Sequence, residues 1–195
     1  MSDPILLGIP GALRKASTNR LLLKEAARAF GPCDYVEADI DFPVFNQDIQ
    51  DGPGIPDAVL KLHEQIGAAD AVVISSPEYN KNIPGVLKNA LDWVSRVKGN
   101  PGGDKPVSLI AASDGRAGGE RMMHNLILCM MPFRSNLVYG PEVFIGNSSE
   151  AFGADGRLKD AVSVKFLTQL MEKLRAEGEK GSRTSSIRPA PMRWR

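Results

Sequence analysis

Arg14, Ser17, Thr18 and Asn19 fall within six positions, where the apolar run Ile5–Ile9 gives way to a helical pattern. Ser, Thr and Asn cap helices, and the free N–H groups of a helix start attract anions. Arg14 adds a fork-shaped donor suited to phosphate oxygens. The segment Ala12, Leu13, Arg14 to Asn19 therefore reads as a phosphate cradle, or as an ordinary capped helix with solvated charges. It is neither of two common phosphate loops. It lacks a G-x-G-x-x-G, and Lys15 is not preceded by Gly as a Walker loop requires.

Two further loops carry groups that could meet a ligand. Ser76-Pro77-Glu78-Tyr79-Asn80-Lys81-Asn82 sets an aromatic ring among carboxylate and amide groups, ahead of Pro84 and a helical pattern. That mixture suits a planar heteroaromatic ligand, stacked on one side and hydrogen-bonded at its edge. An ordinary strand-to-helix turn would look similar. Ser113-Asp114-Gly115-Arg116-Ala117-Gly118-Gly119 has three glycines in five positions. They allow close backbone approach to a ligand, a mobile flap, or a plain surface loop.

These loops need elements to place them. Five β-rich runs, Ile5–Ile9, Tyr35–Asp39, Ala71–Ser75, Val107–Ala112 and Val138–Ile145, alternate with helical patterns near Thr18–Phe30, Pro56–Ala68, Pro84–Val97, Gly119–Met131 and Leu158–Ala176. The first helix aligns Leu22, Leu23, Ala26, Ala27 and Phe30, and the last aligns Leu158, Val162, Phe166, Leu170 and Leu174. Ile5–Ile9 and Ala71–Ile74 are continuously apolar, as in strands covered on both faces. The alternation predicts a doubly wound α/β sheet of five parallel strands with helices on both faces. In such sheets ligands bind beyond the carboxyl ends of the strands, where all three loops fall. Asp41–Pro56, rich in Pro, Asp and Gly, reads as a long loop. One domain is expected over residues 1–177, followed by a basic tail at 178–195 that carries Lys180, Arg183, Arg188, Arg193 and Arg195. That tail is either a loose end or a strap on a partner subunit through Ile187 and Trp194.

Composition narrows the classes. In 195 residues, 24 Lys plus Arg face 23 Asp plus Glu, so no long-range field steers the chain toward nucleic acid. A 43% apolar content and this length support a core without disulfides or metals. No apolar run approaches the roughly 20 residues that span a bilayer, and Met1-Ser2-Asp3-Pro4 does not open like a signal peptide. The expected compartment is the cytoplasm. Cys33 and Cys129 form neither a disulfide framework nor a metal spacing, and His63 and His124 have no metal-ligand neighbours in sequence. Met122, Met123, Met130 and Met131 read as core packing or as a subunit interface. Asp92 and Trp93 read as support beneath their loop.

Gly11-Ala12-Leu13-Arg14-Lys15-Ala16-Ser17-Thr18-Asn19 resembles the Gly-Ser-Leu-Arg-x-x-Ser-x-Asn loop of the NADPH-dependent FMN reductase family. Ser76 to Asn80 followed by Pro84-Gly85-Val86-Leu87-Lys88-Asn89-Ala90-Leu91-Asp92-Trp93 matches that family's longer signature in full. The resemblance extends from about Pro4 to Leu174 and points toward the chromate and quinone reductases of this flavodoxin-like family. It implies FMN and NADPH as cofactors and no catalytic protein nucleophile. Ala12 to Asn19 would hold the phosphate, with Arg14, Ser17 and Asn19 as side-chain donors. Pro77, Glu78, Tyr79 and Asn80 would line the isoalloxazine ring, and Ser113 and Gly115 would meet its pyrimidine side. Arg116, Arg121 and Lys81 are candidates for the 2′-phosphate of NADPH. Ala12 replaces the family's usual Ser, and one lost hydroxyl predicts FMN binding weaker by about 0.5–1.5 kcal/mol. The family usually forms dimers or tetramers, so a homo-oligomer is expected.

The leading expectation is an NAD(P)H-dependent oxidoreductase that passes hydride through FMN to a soluble acceptor (free flavin, quinone, chromate or an azo compound) by a ping-pong mechanism. The alternative class is a flavodoxin-like electron carrier, or a flavin-based redox sensor, without NADPH turnover. Carriers favour strongly acidic docking surfaces, which a net charge of +1 does not supply.

Overall fold

The computed structural model describes residues 3–185. Its sheet is built from β1 (Ile5–Pro10), β2 (Asp34–Glu37), β3 (Ala71–Ser76), β4 (Pro106–Ala112) and β5 (Asn136–Leu137), in the order β2-β1-β3-β4-β5. A sixth short strand, β6 (Phe144–Ile145), pairs with the far end of β4, and every strand pair is parallel. The chain moves outward from β1 to β2, then returns past β1 to β3. The strand order therefore reverses between β1 and β3, which opens a crevice at their carboxyl ends.

Helices cover both faces: α1 (Thr18–Phe30) and α6 (Ala161–Ser185) on one side, α3 (Asp57–Ala68), α4 (Gly85–Val94) and α5 (Glu120–Met130) on the other. Alternation along each strand divides the core accordingly. Leu6, Ala71, Val73, Ile110 and Ala112 pack beneath α1 and α6, while Leu7, Ile9, Val72, Ile74 and Val107 pack beneath the other three. α1 buries Leu22, Leu23, Ala26 and Phe30, and Ala27 is partly buried against the same cluster. Arg175 of α6 donates to the carbonyls of Phe30 and Pro32 at 3.0 and 2.9 Å, supplying partners at the end of α1. Met122, Met123 and Met130 are core residues and Met131 is exposed. Cys129 packs at the core margin, where burial pushes its thiol pKa up and keeps it protonated. Among the described residues no helix is long and apolar enough to cross a membrane.

Four expectations need correction. Val138–Ile145 is not one strand. Val138 N–H still reaches the Val107 carbonyl at 2.8 Å, and Val143 accepts from Ala111 at 3.0 Å. Between them Gly140 turns at φ 59° and Pro141 has no N–H for the ladder, so the sheet edge breaks into β5 and β6. β2 ends at Glu37, short of Asp39. Within the expected loop Asp41–Pro56, a short helix α2 (Gln47–Asp51) forms because the Asn46 side chain caps it, accepting from Asp48 N–H at 2.9 Å. α6 extends to Ser185, past the Gly178 at which a tail was expected to begin. Gly178 is buried, and a Cβ there would lie 3.1 Å from the Asp70 carbonyl. The glycine admits close contact between helix and sheet and does not end the helix. Lys180 thus sits on α6, while Ile187, Trp194 and the rest of 186–195 lie outside the described residues.

The apolar stripe of α6 also differs. Val162 and Phe166 are 57% and 39% exposed, whereas Leu167, Leu170, Met171 and Leu174 are buried. Steps of four residues overshoot a full turn by about 40° each, so a line traced back from Leu174 to Val162 walks about 120° off the core face. The buried set follows the mixed three-and-four spacing. Met171→Ala should therefore lower the unfolding free energy by about 2–5 kcal/mol in denaturant titration. Val162→Ser should stay within about 0.5 kcal/mol. Equal effects would place the stripe on the other residues.

Candidate functional site

A cleft of about 570 Å³ opens beyond the carboxyl ends of β1, β3 and β4. This volume lies within the roughly 300–1,000 Å³ of small-molecule and cofactor sites. Three loops and Ser148 form its walls, and each loop is held by identifiable bonds.

The first loop brings Arg14, Ser17, Thr18 and Asn19 to the cleft. Ser17 N–H donates to the Arg14 carbonyl at 3.0 Å, and Ser17 Oγ accepts from Asn19 N–H at 3.3 Å as the N-cap of α1. The first turn of α1 carries no acidic side chain, so the positive helix end is left to whatever enters from outside. Asn19 lines the cleft and also has a structural part. Its side chain is 1% exposed, accepts from Ser75 Oγ at 2.9 Å and Ala112 N–H at 3.1 Å, and donates to the Ala112 carbonyl at 2.8 Å. That amide fastens α1 to the ends of β3 and β4.

In the second loop, Tyr79 and Asn82 exchange two backbone hydrogen bonds at 3.0 Å around Asn80 (φ 51°) and Lys81 (φ 64°). Positive φ at both central positions makes this a type I′ turn, which Asn tolerates and Lys adopts under strain. Pro77, Glu78 and Tyr79 line the cleft, with Tyr79 half exposed at the lip. Glu78 N–H donates to Ser113 Oγ at 2.7 Å, and Glu78 Oε2 accepts from Met122 N–H at 3.2 Å. The Glu78 carboxylate thereby caps α5, whose own N-cap is Gly119 and offers no side chain.

The third loop contributes Ser113 through Gly119. Gly118 has φ 64°, and a Cβ there would lie 2.6 Å from the Phe144 carbonyl carbon. This glycine seats the loop against β6, so a free flap is not what the three glycines build. Asp114 was not singled out by sequence, nor was Ser148, which lies far along the chain. Thr18 Oγ1 donates to Ser148 Oγ at 3.1 Å, and Ser148 Oγ donates to Asp114 Oδ1 at 3.0 Å. Ser149 N–H adds a bond to the same oxygen at 2.8 Å. The Ser149 N–H foremost, then the Ser148 hydroxyl, hold the Asp114 carboxyl below its ordinary pKa.

Three expected site residues do not line this cleft. Ala12 is 4% exposed behind the loop, Leu13 faces an adjoining groove with Lys15 and Arg20, and Asn80 sits in the turn. Arg116 and Arg121 do line it, but Lys81 does not. Asn89 and Trp93 act at a distance. Trp93 Nε1 donates to the Pro43 carbonyl at 2.7 Å, and Asn89 accepts from Phe45 N–H at 2.8 Å, pinning the 41–56 segment to α4. Phe45 meets the Trp93 ring edge-on at 4.9 Å.

Comparison with known proteins identifies the family. The family model for NADPH-dependent FMN reductases matches residues 4–150. The chain belongs to that family. An NAD(P)H-dependent FMN reductase of Pseudomonas aeruginosa is 40% identical over 177 residues, covering 89% of this chain and 95% of its own. A quinone reductase of Escherichia coli is 35% identical over 172 residues, 87% of this chain and 90% of that protein. Among solved structures, the flavoenzyme NAD(P)H:(acceptor) oxidoreductase FerB of Paracoccus denitrificans superposes with a TM-score of 0.80 at 32% identity, covering 91% of this chain and 98% of the other. The chain is thus an oxidoreductase of the FMN- and NAD(P)H-dependent kind on a flavodoxin-like sheet.

The Asn19 bonds generate a prediction that needs no ligand. Asn19→Ala strands buried polar groups of Ser75 and Ala112 and should lower the unfolding free energy by about 1–3 kcal/mol in denaturant titration. Unchanged stability would return Asn19 to the role of a free donor.

Proposed function

We propose that this chain carries hydride equivalents from NAD(P)H through FMN to a soluble acceptor, in a ping-pong cycle within one cleft. The carrying observation is an acid-free helix start with Arg14 beside it, opening into a cleft at the point of strand reversal. A phosphate needs such a place, and a planar ring needs the rest. Arg14, Ser17 and Thr18 would hold the FMN phosphate, with the backbone of Ala12 and Leu13 shaping the loop. Pro77, Glu78 and Tyr79 would border the ring, with Asn80 shaping their turn, and Ser113 and Gly115 would meet its pyrimidine side. When bound, FMN supplies the chemistry: it accepts hydride and returns two electrons.

The protein's share is placement. The Glu78–Ser113 and Glu78–Met122 bonds hold the second loop, the third loop and α5 as one frame, so the ring's edge donors are set before a ligand arrives. Arg116 and Arg121 line the cleft and would meet the 2′-phosphate of a nicotinamide donor. A single cleft has room for donor and acceptor in turn, which is why free flavin, quinone, chromate and azo compounds are the acceptor classes. A homodimer or homotetramer is part of the same reading, supported by the exposed apolar Leu128 and Met131 near the end of α5.

Mixing the protein with FMN under anaerobic conditions and adding NADPH should bleach the flavin at one equivalent per site, with colour restored by quinone. Flavin that stays yellow would instead indicate a carrier or sensor. Arg14→Ala should weaken FMN by about 1.5–3 kcal/mol, roughly 10- to 150-fold in Kd, as a lost charged contact. Unchanged affinity removes Arg14 from the cradle. Steady-state plots against quinone should give parallel lines, and intersecting lines would reject the shared cleft.

A further inference from the structure

The phosphate end of the cleft contains a carboxylate that a retained phosphate does not need. α1 has no acid in its first turn, yet one arrives from the β4 loop. Asp114 is joined to Thr18, the first residue of α1, through the hydroxyl of Ser148. Asp114 and Arg14 line the same cleft, and the positive charge of Arg14 acts on the Asp114 carboxyl. The other carboxylate in the lining, Glu78, is engaged on the N-terminus of α5.

We propose that Asp114 is a specificity-determining residue that opposes the flavin phosphate at the start of α1, so that this chain binds FMN less tightly, relative to unphosphorylated riboflavin, than the Arg14 cradle alone would set. The inference rests on the FMN reading above. Its physics is direct. A phosphate dianion brought to Arg14 meets a fixed like charge across a solvent-open cleft, and it shares both the helix end and the Arg14 guanidinium with that charge. Repulsion of this kind lowers affinity for the phosphorylated flavin and leaves the ring and ribityl contacts unchanged. Riboflavin, with the same ring and no phosphate, is the internal control. An aspartate is ionised through the neutral range, and Ser149 N–H and the Ser148 hydroxyl hold the Asp114 carboxyl further below its ordinary pKa. The acid's charge is therefore constant above neutral pH, where the flavin phosphate is also a dianion. Ala12, the other sequence feature that predicted loose flavin, lies behind the cleft lining and leaves this role to Asp114.

The test is a fluorescence-quenching titration of the full chain with FMN and with riboflavin, at fixed ionic strength, for the natural protein and for Asp114→Asn. The carboxamide keeps an oxygen to accept from Ser149 and Ser148 but carries no charge. Asp114→Asn should tighten FMN about three- to tenfold, slow its dissociation correspondingly, and leave riboflavin within about twofold. Asp114→Ala, checked for an unchanged melting curve, should shift FMN in the same direction. Unchanged FMN affinity overturns the proposal, as does an equal shift for both flavins, which would place Asp114 on the ribityl chain. Failure of the natural protein and both variants to bind either flavin would overturn the FMN reading itself, an outcome distinct from those two.

Discussion

The carboxamide of Asn19 holds together the three elements that make the cleft. One buried side chain on the first turn of α1 bonds to Ser75 at the end of β3 and to both backbone groups of Ala112 at the end of β4. An α/β sheet of this order has a crevice wherever its strand order reverses, but a crevice alone does not set where a helix end points. Asn19 sets it. With the α1 terminus locked against two strand ends, the field of the helix opens on the cleft, and Arg14 is carried there by the turn that Ser17 closes. The cost of a buried amide is met by three partners, which is why its loss strands so much else.

The same economy of bonds recurs at the second and third loops. Glu78 uses its backbone N–H on Ser113 and its carboxylate on Met122, so one residue joins the β3 loop, the β4 loop and α5. Gly119 offers α5 no side-chain cap, and that deficiency gives Glu78 its place. Beneath them, Asn89 and Trp93 pin the 41–56 segment to α4. A site open to solvent on one side is thereby rigid on the protein's side. Ordering costs that a ligand would otherwise meet on binding are met during folding.

Much of this was legible in sequence, for reasons that separate what was read from what was missed. Strand and helix identity in the first half came from continuous apolar runs and from the cluster of capping residue types at Ser17, Thr18 and Asn19, both local signals. The loop that carries Arg14 and the loop that carries Glu78 were legible because their residue types are unusual together and occur at strand ends. Asn19 was found as a cleft residue, but its bonds to strand ends 56 and 93 residues away were not, since spacing cannot show which distant backbone an amide meets. Ser148 left no signal, because its link to Asp114 depends on the fold bringing the segment after β6 beside the β4 loop. The broken fifth strand and the continuation of α6 past Gly178 were missed for a related reason. Glycine and proline mark backbone possibilities, and only tertiary contact decides whether they mean a turn, a break or a close approach.

Rigidity has a second consequence, and it concerns charge. A flexible acidic side chain near a phosphate site would swing away when an anion entered, and its repulsion would be largely relieved. Asp114 lacks that freedom while Ser149 and Ser148 both hold Oδ1. The bonds that keep its carboxylate ionised also keep it in position, so its influence on an entering phosphate persists in the bound state. Arg14, Arg116 and Arg121 line the same cleft and set a net attraction for anions. A fixed acid within that attraction reduces affinity for one class of ligand without reversing the field. In the proposed cycle, where one cleft admits a nicotinamide dinucleotide, releases it and then admits another molecule, moderated attraction serves better than maximal attraction, because added uniform binding mostly slows departure.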